Sequence, residues 1–407
     1  MKVKSISFEN YKAFYERQTM QIKPITILIG KNSSGKSSIA KLFTLFENSL
    51  MGNIDEPLLL NNNGVELGGE FDNLFFENNP GGISLIFKIV FENDVQIEIA
   101  LLKKNDGYGL EIFQWKYQDD VLKLELELND DGYLDTITQK LYECEFQGFI
   151  PTKFNEINQK NTSENLLDKF KLEKIDVDYI GPFRILPKRY FYLTGQTQFT
   201  DTGVTGENAY AMLGISKLKK NDELHKNVGK WYKENFDGWE LKVDDRDKKP
   251  LIQILLSKND TDVNIVDVGQ GMNQALPLVV RANVTDRPDS MIILEQPELH
   301  LHPAAHGNLM ELFAKSAKDN SQTFIIETHS ENMLLRIRKL IVENDFGLTK
   351  DDVIIYWLED AEFKGQELME ITIDEDGVLS DWRDGVFDEG LKEILEMQKA
   401  LNKKDQK

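Results

Sequence analysis

The chain has one cysteine, Cys144, in 407 residues. A single thiol excludes an intrachain disulfide framework and a cysteine-rich zinc site. No apolar stretch is long enough to cross a membrane. No secretory leader is visible, because Met1-Lys2-Val3-Lys4-Ser5-Ile6-Ser7-Phe8 alternates as a strand does. Internal repeats and heptad runs are also missing, which removes a long coiled-coil arm and, with it, the main support for chromosome tethering. Positive charge is in the minority, with 48 Lys and Arg against 69 Asp and Glu, a net charge of −21. That balance repels a polyanion on average and argues against a protein that coats DNA. These features are expected of a protein of the reducing cytoplasm. What is present is 41% hydrophobic residues, enough for a large core and two lobes.

The segment Gly30-Lys31-Asn32-Ser33-Ser34-Gly35-Lys36-Ser37 matches G-x-x-x-x-G-K-[ST], a phosphate loop. An apolar strand, Ile25-Thr26-Ile27-Leu28-Ile29, precedes it, and a helical pattern in Ile39, Leu42, Phe43 and Phe46 follows. The motif needs this strand, loop and helix order. Gly30 and Gly35 let successive N–H groups curl around a β-phosphate, and the helix opening at Lys36 adds the positive end of its dipole. Lys36 is expected to reach the β- and γ-phosphates of ATP, Ser37 to ligate Mg²⁺, and the loop through Ser38 to hold the nucleotide.

A second apolar strand, Met291-Ile292-Ile293-Leu294, ends in Glu295-Gln296-Pro297-Glu298. Ligands of open α/β sheets bind at the C-terminal ends of strands, so Glu295 is expected to hold Mg²⁺ through water. Thr323-Phe324-Ile325-Ile326 repeats the pattern and ends in Glu327-Thr328-His329-Ser330, which brings His329 within reach of a γ-phosphate.

These segments, with Asn10-Tyr11-Lys12-Ala13-Phe14 and Val268-Gly269-Gln270-Gly271-Met272-Asn273-Gln274-Ala275-Leu276-Pro277, resemble the ABC-type ATPases of the RecF, SMC and OLD group. Within that group the chain looks most like bacterial "AAA family ATPase" proteins that end in a small domain of unknown function. Ile373-Asp374-Glu375-Asp376-Gly377 and Trp382 to Glu389 carry that part of the likeness. It covers the two ends well and the middle poorly.

The resemblance implies an α/β P-loop NTPase fold: an ABC-ATPase-like head with an antiparallel β subdomain and a helix-rich lobe. It implies a homodimer or higher oligomer, in which Gly269 to Gln274 of one copy close head to tail on the ATP of another. The phosphate contact there would come from Asn273 or from a backbone N–H of Gly269 or Gly271. It implies that His329 is the switch histidine that senses the γ-phosphate. Where the group usually carries a water-polarising glutamate, this chain has Gln296, which can orient water but cannot accept its proton. Slow hydrolysis is therefore expected, with Gln296 positioning water and Glu298 as a substitute base; positioning suffices where the transition state is loose. Gly181-Pro182-Phe183-Arg184 is similar to a turn in the group's linker, and Arg184 is expected to reach the nucleotide or the dimer partner.

Residues 1–150 are expected to form an N-terminal lobe with the phosphate loop and an antiparallel sheet, drawn from alternating strands between residues 83 and 148. Residues 151–260 form a helix-rich insertion with a hairpin at Val243–Pro250. Residues 261–350 form the second ATPase lobe, and 351–407 a small α/β extension. His300, His302 and His306 suit subunit contacts better than a metal. The basic stretches around Lys217 to Lys233 and Arg336 to Lys339 read as solvated helix faces, so DNA remains a candidate ligand that the net charge does not support. Asp374-Glu375-Asp376 reads as a turn at Asp376-Gly377 better than as a nuclease metal site. The function that follows is an ATP-driven switch controlling a separate effector, a nuclease or toxin, in bacterial genome defence. The alternatives are an ATP-clamped scaffold without turnover and a repair ATPase acting on DNA ends.

Overall fold

Alternation of apolar and polar residues builds a nine-stranded antiparallel sheet in this computed structural model, which describes residues 2–104, 107–157, 166–171, 174–193, 199, 201–219, 223–245, 251–381 and 396–398. The strand order is Ile150–Glu156, Leu141–Gln147, Gly132–Asp135, Lys123–Asn129, Leu110–Gln118, Gln96–Lys103, Leu85–Phe91, Val3–Glu9 and Gln18–Gln21. In Leu85–Phe91 the residues Leu85, Phe87, Ile89 and Phe91 are buried and those between are half-buried, the period of a sheet with one covered face. Trp115 anchors that face, its indole N–H donating to Phe149 O at 2.9 Å.

The second large sheet has six strands, in the order Val177–Ile180, Met291–Glu295, Thr323–Glu327, Ile25–Gly30, Val353–Asp360 and Gln366–Ile371. The first five are parallel and the last is antiparallel. Its central strands are continuously buried, as parallel strands with both faces covered must be. Alternate residues divide between two cores. Leu28, Ile293, Ile325 and Tyr356 pack with the helix Lys36–Leu50 and the antiparallel sheet. Ile27, Ile292, Leu294, Phe324 and Ile326 pack on the other side with the helices Gln270–Ala282, Pro303–Asp319 and Glu331–Glu343.

A smaller sheet of Phe191–Tyr192, Leu251–Lys258, Glu240–Asp244 and Thr261–Asn264 packs with the helices Ala209–Leu218 and Leu224–Asn235. Glu240–Asp244 pairs antiparallel with Leu251–Lys258, and residues 246–250 of the expected hairpin lie outside the described residues. So do the polar residues 158–165, the motif residues Trp382 to Glu389 and the end of the chain from 399.

The segment after residue 351 is integral to the parallel sheet. Val353–Asp360 runs beside the strand that carries the phosphate loop, from Val353 opposite Ile25 to Leu358 opposite Gly30. Asp374 forms a turn, its carboxylate accepting from the amides of Asp376 and Val378. Among the described residues no helix is long and apolar enough to cross a membrane.

Candidate nucleotide and metal site

The phosphate loop joins the end of the strand Ile25–Gly30 to the helix Lys36–Leu50. Gly30 has φ 149° and Gly35 has φ 95°. A Cβ at Gly30 would stand 2.7 Å from the carbonyl oxygen of Leu358, and one at Gly35 would stand 2.9 Å from the Phe14 ring. Only glycine fits a backbone so placed. Lys36 is 4% exposed, and its Nζ donates to the carbonyls of Gly30 at 3.1 Å and Lys31 at 2.6 Å. Burial lowers the Lys36 pKa, and the carboxylate of Glu327 opposes that shift. The hydroxyl of Ser34 is buried in the loop without a hydrogen-bond partner. A cavity of about 320 Å³ opens over the loop, with Asn32, Ser33 and Gly35 to Ser38 on one side and Gln296, Glu327 and His329 on the other. Its size suits a polyphosphate chain, and the glycine cradle, the buried lysine and the unpartnered Ser34 hydroxyl fit that group.

The acidic side differs from the sequence expectation in one respect. The parallel register sets Glu295 and Glu327 side by side at the ends of neighbouring strands. It is Glu327, 4% exposed, that accepts the Ser37 hydroxyl at 2.7 Å. A serine hydroxyl that donates to a carboxylate keeps its lone pairs for a hard cation. Glu295, 6% exposed, accepts instead from the Tyr179 hydroxyl and does not line the cavity. Burial, with Glu327 adding repulsion, pushes the Glu295 pKa up to about 7. Glu327 is also raised, chiefly by burial, although Ser37 and Lys36 pull it down. The bond between Ser37 and Glu327 was missed in the sequence, although the position of Glu327, the last residue of an apolar strand like Glu295, was the available signal.

Gln296 lines the cavity in a left-handed conformation, φ 43°, with its N–H donating to Glu327 O at 2.8 Å. Glu298 sits in the turn that follows, so strand alternation does not govern its direction. One of its carboxylate oxygens accepts the His329 amide at 2.7 Å, and the other is buried without a partner. Glu298 thus faces the backbone of His329 and is not among the cavity's lining residues. His329 does line it, and its pKa is lowered by burial, then by Lys36, which favours the neutral ring.

Arg184 was expected at the nucleotide or the dimer partner. It is buried within the chain and donates to the carbonyls of Gln274 at 3.2 Å and Gln296 at 2.8 Å. The helix Gln270–Ala282 begins directly after Gly269, which is exposed and has open space where a side chain would be. Gly271 is half-buried, whereas Asn273 is 5% exposed with an unpartnered side-chain oxygen.

His302 and His306 make contacts within the chain. His302 caps the helix Pro303–Asp319, and His306 bonds the Ser330 hydroxyl at 2.8 Å. Among the described residues no group of three or more His, Cys, Asp or Glu could hold a metal. The basic stretches are largely neutralised: Lys226 pairs with Glu223, Lys230 with Glu234, Lys233 with Glu240, Arg336 with Glu311 and Lys339 with Glu343.

A phosphate loop facing a strand-end carboxylate and a histidine at one edge of a parallel sheet, with a large antiparallel sheet beside it, defines a P-loop ATPase of the ABC-head class. The chain belongs to the family described as "AAA domain, putative AbiEii toxin, Type IV TA system", whose model matches residues 25–335. Residues 348–397 match a second family, described as a protein of unknown function. No curated protein matches the chain. Among solved structures it is similar to an SMC head bound to the C-winged helix domain of ScpA, at 13% identity and TM-score 0.51, over 91% of this chain and 98% of that one. It also matches an SMC head domain from Thermotoga maritima at 11% identity and TM-score 0.44, over 91% of this chain and 98% of that one. A third match is an Smc head with an extended coiled coil bound to the C-terminal domain of ScpA, derived from Pyrococcus furiosus, at 12% identity and TM-score 0.49, over 98% and 99%. At such identities the likeness is one of fold, and the first of the three supports it.

Proposed function

We propose that this chain binds ATP with Mg²⁺, hydrolyses it slowly in a head-to-tail pair of copies, and so switches a separate effector protein. The observation that carries the reading is the hydrogen bond from Ser37 to Glu327, which joins the phosphate loop to the carboxylate edge across 290 residues of sequence. Loop amides from Gly30 to Ser38 would hold the phosphates, and Lys36 would exchange two carbonyls for phosphate oxygens. Ser37 would ligate Mg²⁺ while donating to Glu327, with Glu295 holding the ion through water. Bound Mg²⁺ supplies charge neutralisation at the β- and γ-phosphate oxygens. Gln296 orients the attacking water without taking its proton, and Glu298 holds the backbone of His329 at the γ-phosphate side.

Pairing is supported by the exposed helix start at Gly269. A protein partner is supported in general by the similar SMC head, solved with a domain of ScpA. The effector, a nuclease or toxin in genome defence, rests on the family resemblance alone. A second reading, ATP as a clamp without turnover, draws its support from Gln296.

The deciding experiment is phosphate release from ATP beside Lys36→Ala, with and without duplex DNA. Slow release that needs Lys36 and ignores DNA is expected. Tight ATP binding without release would replace the switch by the clamp. DNA-stimulated release with a steep salt dependence would replace it by a repair ATPase.

A further inference from the structure

We propose that the segment Tyr179–Arg184 positions Glu295 and Gln296, and that Arg184 couples them to the helix Gln270–Ala282, an inference that rests on the nucleotide reading above. Val177–Ile180 is the edge strand of the parallel sheet, with Tyr179 opposite Ile293. From there the Tyr179 hydroxyl reaches Glu295. The chain then turns, fixed by Gly181 N–H to Val204 O at 2.8 Å and Ile185 N–H to Thr205 O at 3.0 Å. Between those two anchors stands Arg184. One guanidinium nitrogen donates to the Gln296 carbonyl at 2.8 Å and another to the Gln274 carbonyl at 3.2 Å, while the Gln274 side chain donates back to the Arg184 carbonyl at 3.2 Å.

A comparison inside the molecule shows that Arg184 is not an ordinary buried ion pair. Arg281, 1% exposed, has the Asp178 carboxylate at 2.6 Å. Arg184 is 6% exposed and its guanidinium hydrogen-bonds only carbonyl oxygens. Its burial pushes the guanidinium pKa down to about 10, with Glu298 opposing. A buried cation that hydrogen-bonds no carboxylate weakens a fold, so its presence points to a job between the groups that it joins. Those groups belong to different elements: the first turns of a helix whose start is exposed, and the residue that orients water. A rigid planar fork holds the two carbonyls in a fixed relative position through two separate nitrogens, whereas a lysine offers one nitrogen on a flexible stem. Displacement of that helix by whatever closes on Gly269 must therefore move Gln296 or break one bond of the fork. Arg184 and Tyr179 are positioning residues in this scheme, acting through Gln296 and Glu295.

The test compares Arg184→Ala, Arg184→Lys and Tyr179→Phe with the wild type in ATP affinity, kcat and KM, and in hydrogen exchange of residues 270–282 and 295–301 with and without ATP. Expected are ATP affinities within about threefold and a kcat lower by about 10²-fold for both Arg184 variants, the size of effect that a misplacement near 1 Å produces. ATP should protect both segments together in the wild type and only residues 295–301 in Arg184→Lys. Tyr179→Phe, which loses one hydroxyl and keeps the ring, should lower kcat without changing the coupled protection, and it carries the first half of the proposal if Arg184→Ala does not fold. A merely structural role would instead lower thermal stability with no separation of kcat from KM, and that result overturns the proposal. Unchanged kcat, or coupled protection that persists in Arg184→Lys, overturns it as well. If ATP protects no residue of the phosphate loop in the wild type, the nucleotide reading itself falls and this inference with it.

Discussion

In the antiparallel strand Leu85–Phe91 every second residue is buried, whereas in the parallel strand Met291–Glu295 every residue is. The first sheet can spread its polar groups over an open face. The second has no open face, so its polar groups collect where the strands end. The same residue type behaves oppositely in the two places. On the antiparallel sheet, burial would raise Glu98, but hydrogen bonds from Arg17 and Lys116 outweigh it and hold the carboxyl below its usual range. At the parallel strand ends, Glu295 and Glu327 are both raised. One sheet thus stabilises its charges and the other keeps them poised, which supports the proposal that the second carries the chemistry.

The comparison can be broken most severely with Lys36→Ala. ATP turnover should fall by at least about 10²-fold, as loss of one preorganised charge in a site does, while the melting temperature stays within a few degrees. A parallel loss of folding would show that the two functions are not separate. Trp115→Ala makes the converse cut. It should cost about 3–5 kcal/mol in urea unfolding, the range for a buried tryptophan, with the ATP affinity of the folded fraction unchanged. Glu327→Gln addresses the strand ends alone, and the Mg²⁺ concentration for half-maximal activity should rise by about 10–100-fold, as for other residues that orient a metal ligand. If Glu295→Gln had that effect and Glu327→Gln none, the pairing with Ser37 would not be the metal-side contact.

The smallest expected effect concerns Glu47, which ties the helix behind the phosphate loop to the edge strand of the parallel sheet by accepting the Val177 amide at 2.8 Å. Burial pushes its pKa from 4.5 up to about 7, although the Val177 amide opposes that. The folded chain therefore holds this proton where the unfolded chain has lost it. Its contribution to stability is complete below pH 4.5 and is lost as pH rises through 7. Unfolding measured at pH 6 and pH 8 should differ by about 1 kcal/mol, with the lower pH more stable, and Glu47→Gln should flatten the difference.

The phosphate loop, its flanking strand and helix, and the two apolar strands that end in glutamate were legible because local patterns encode them. Alternation between residues 83 and 148 likewise gave the antiparallel sheet, although Val3–Glu9, Gln18–Gln21 and Ile150–Glu156 join it from outside that range. Strand order in the parallel sheet was not legible, since nothing near Ile25 announces a partnership with Val353. The same holds for the contacts of Tyr179, Arg184 and Glu327, which arise from register and span 90 residues or more. Asn273 shows the limit in the other direction, because a helix-start motif does not reveal which of its side chains turns inward.

The strand Ile25–Gly30 has as neighbours Thr323–Glu327 and Val353–Asp360. During synthesis at about 5–20 residues per second, it would leave the ribosome roughly 15 to 65 seconds before its last neighbour. Every strand of the antiparallel sheet is made by residue 156. The nascent chain can thus complete its scaffold early, while the strand that carries the phosphate loop waits for Val353–Asp360. A ribosome that stalls before residue 353 would release a chain with a finished antiparallel sheet and an exposed, unpaired edge at Ile25–Gly30, a ready template for aggregation.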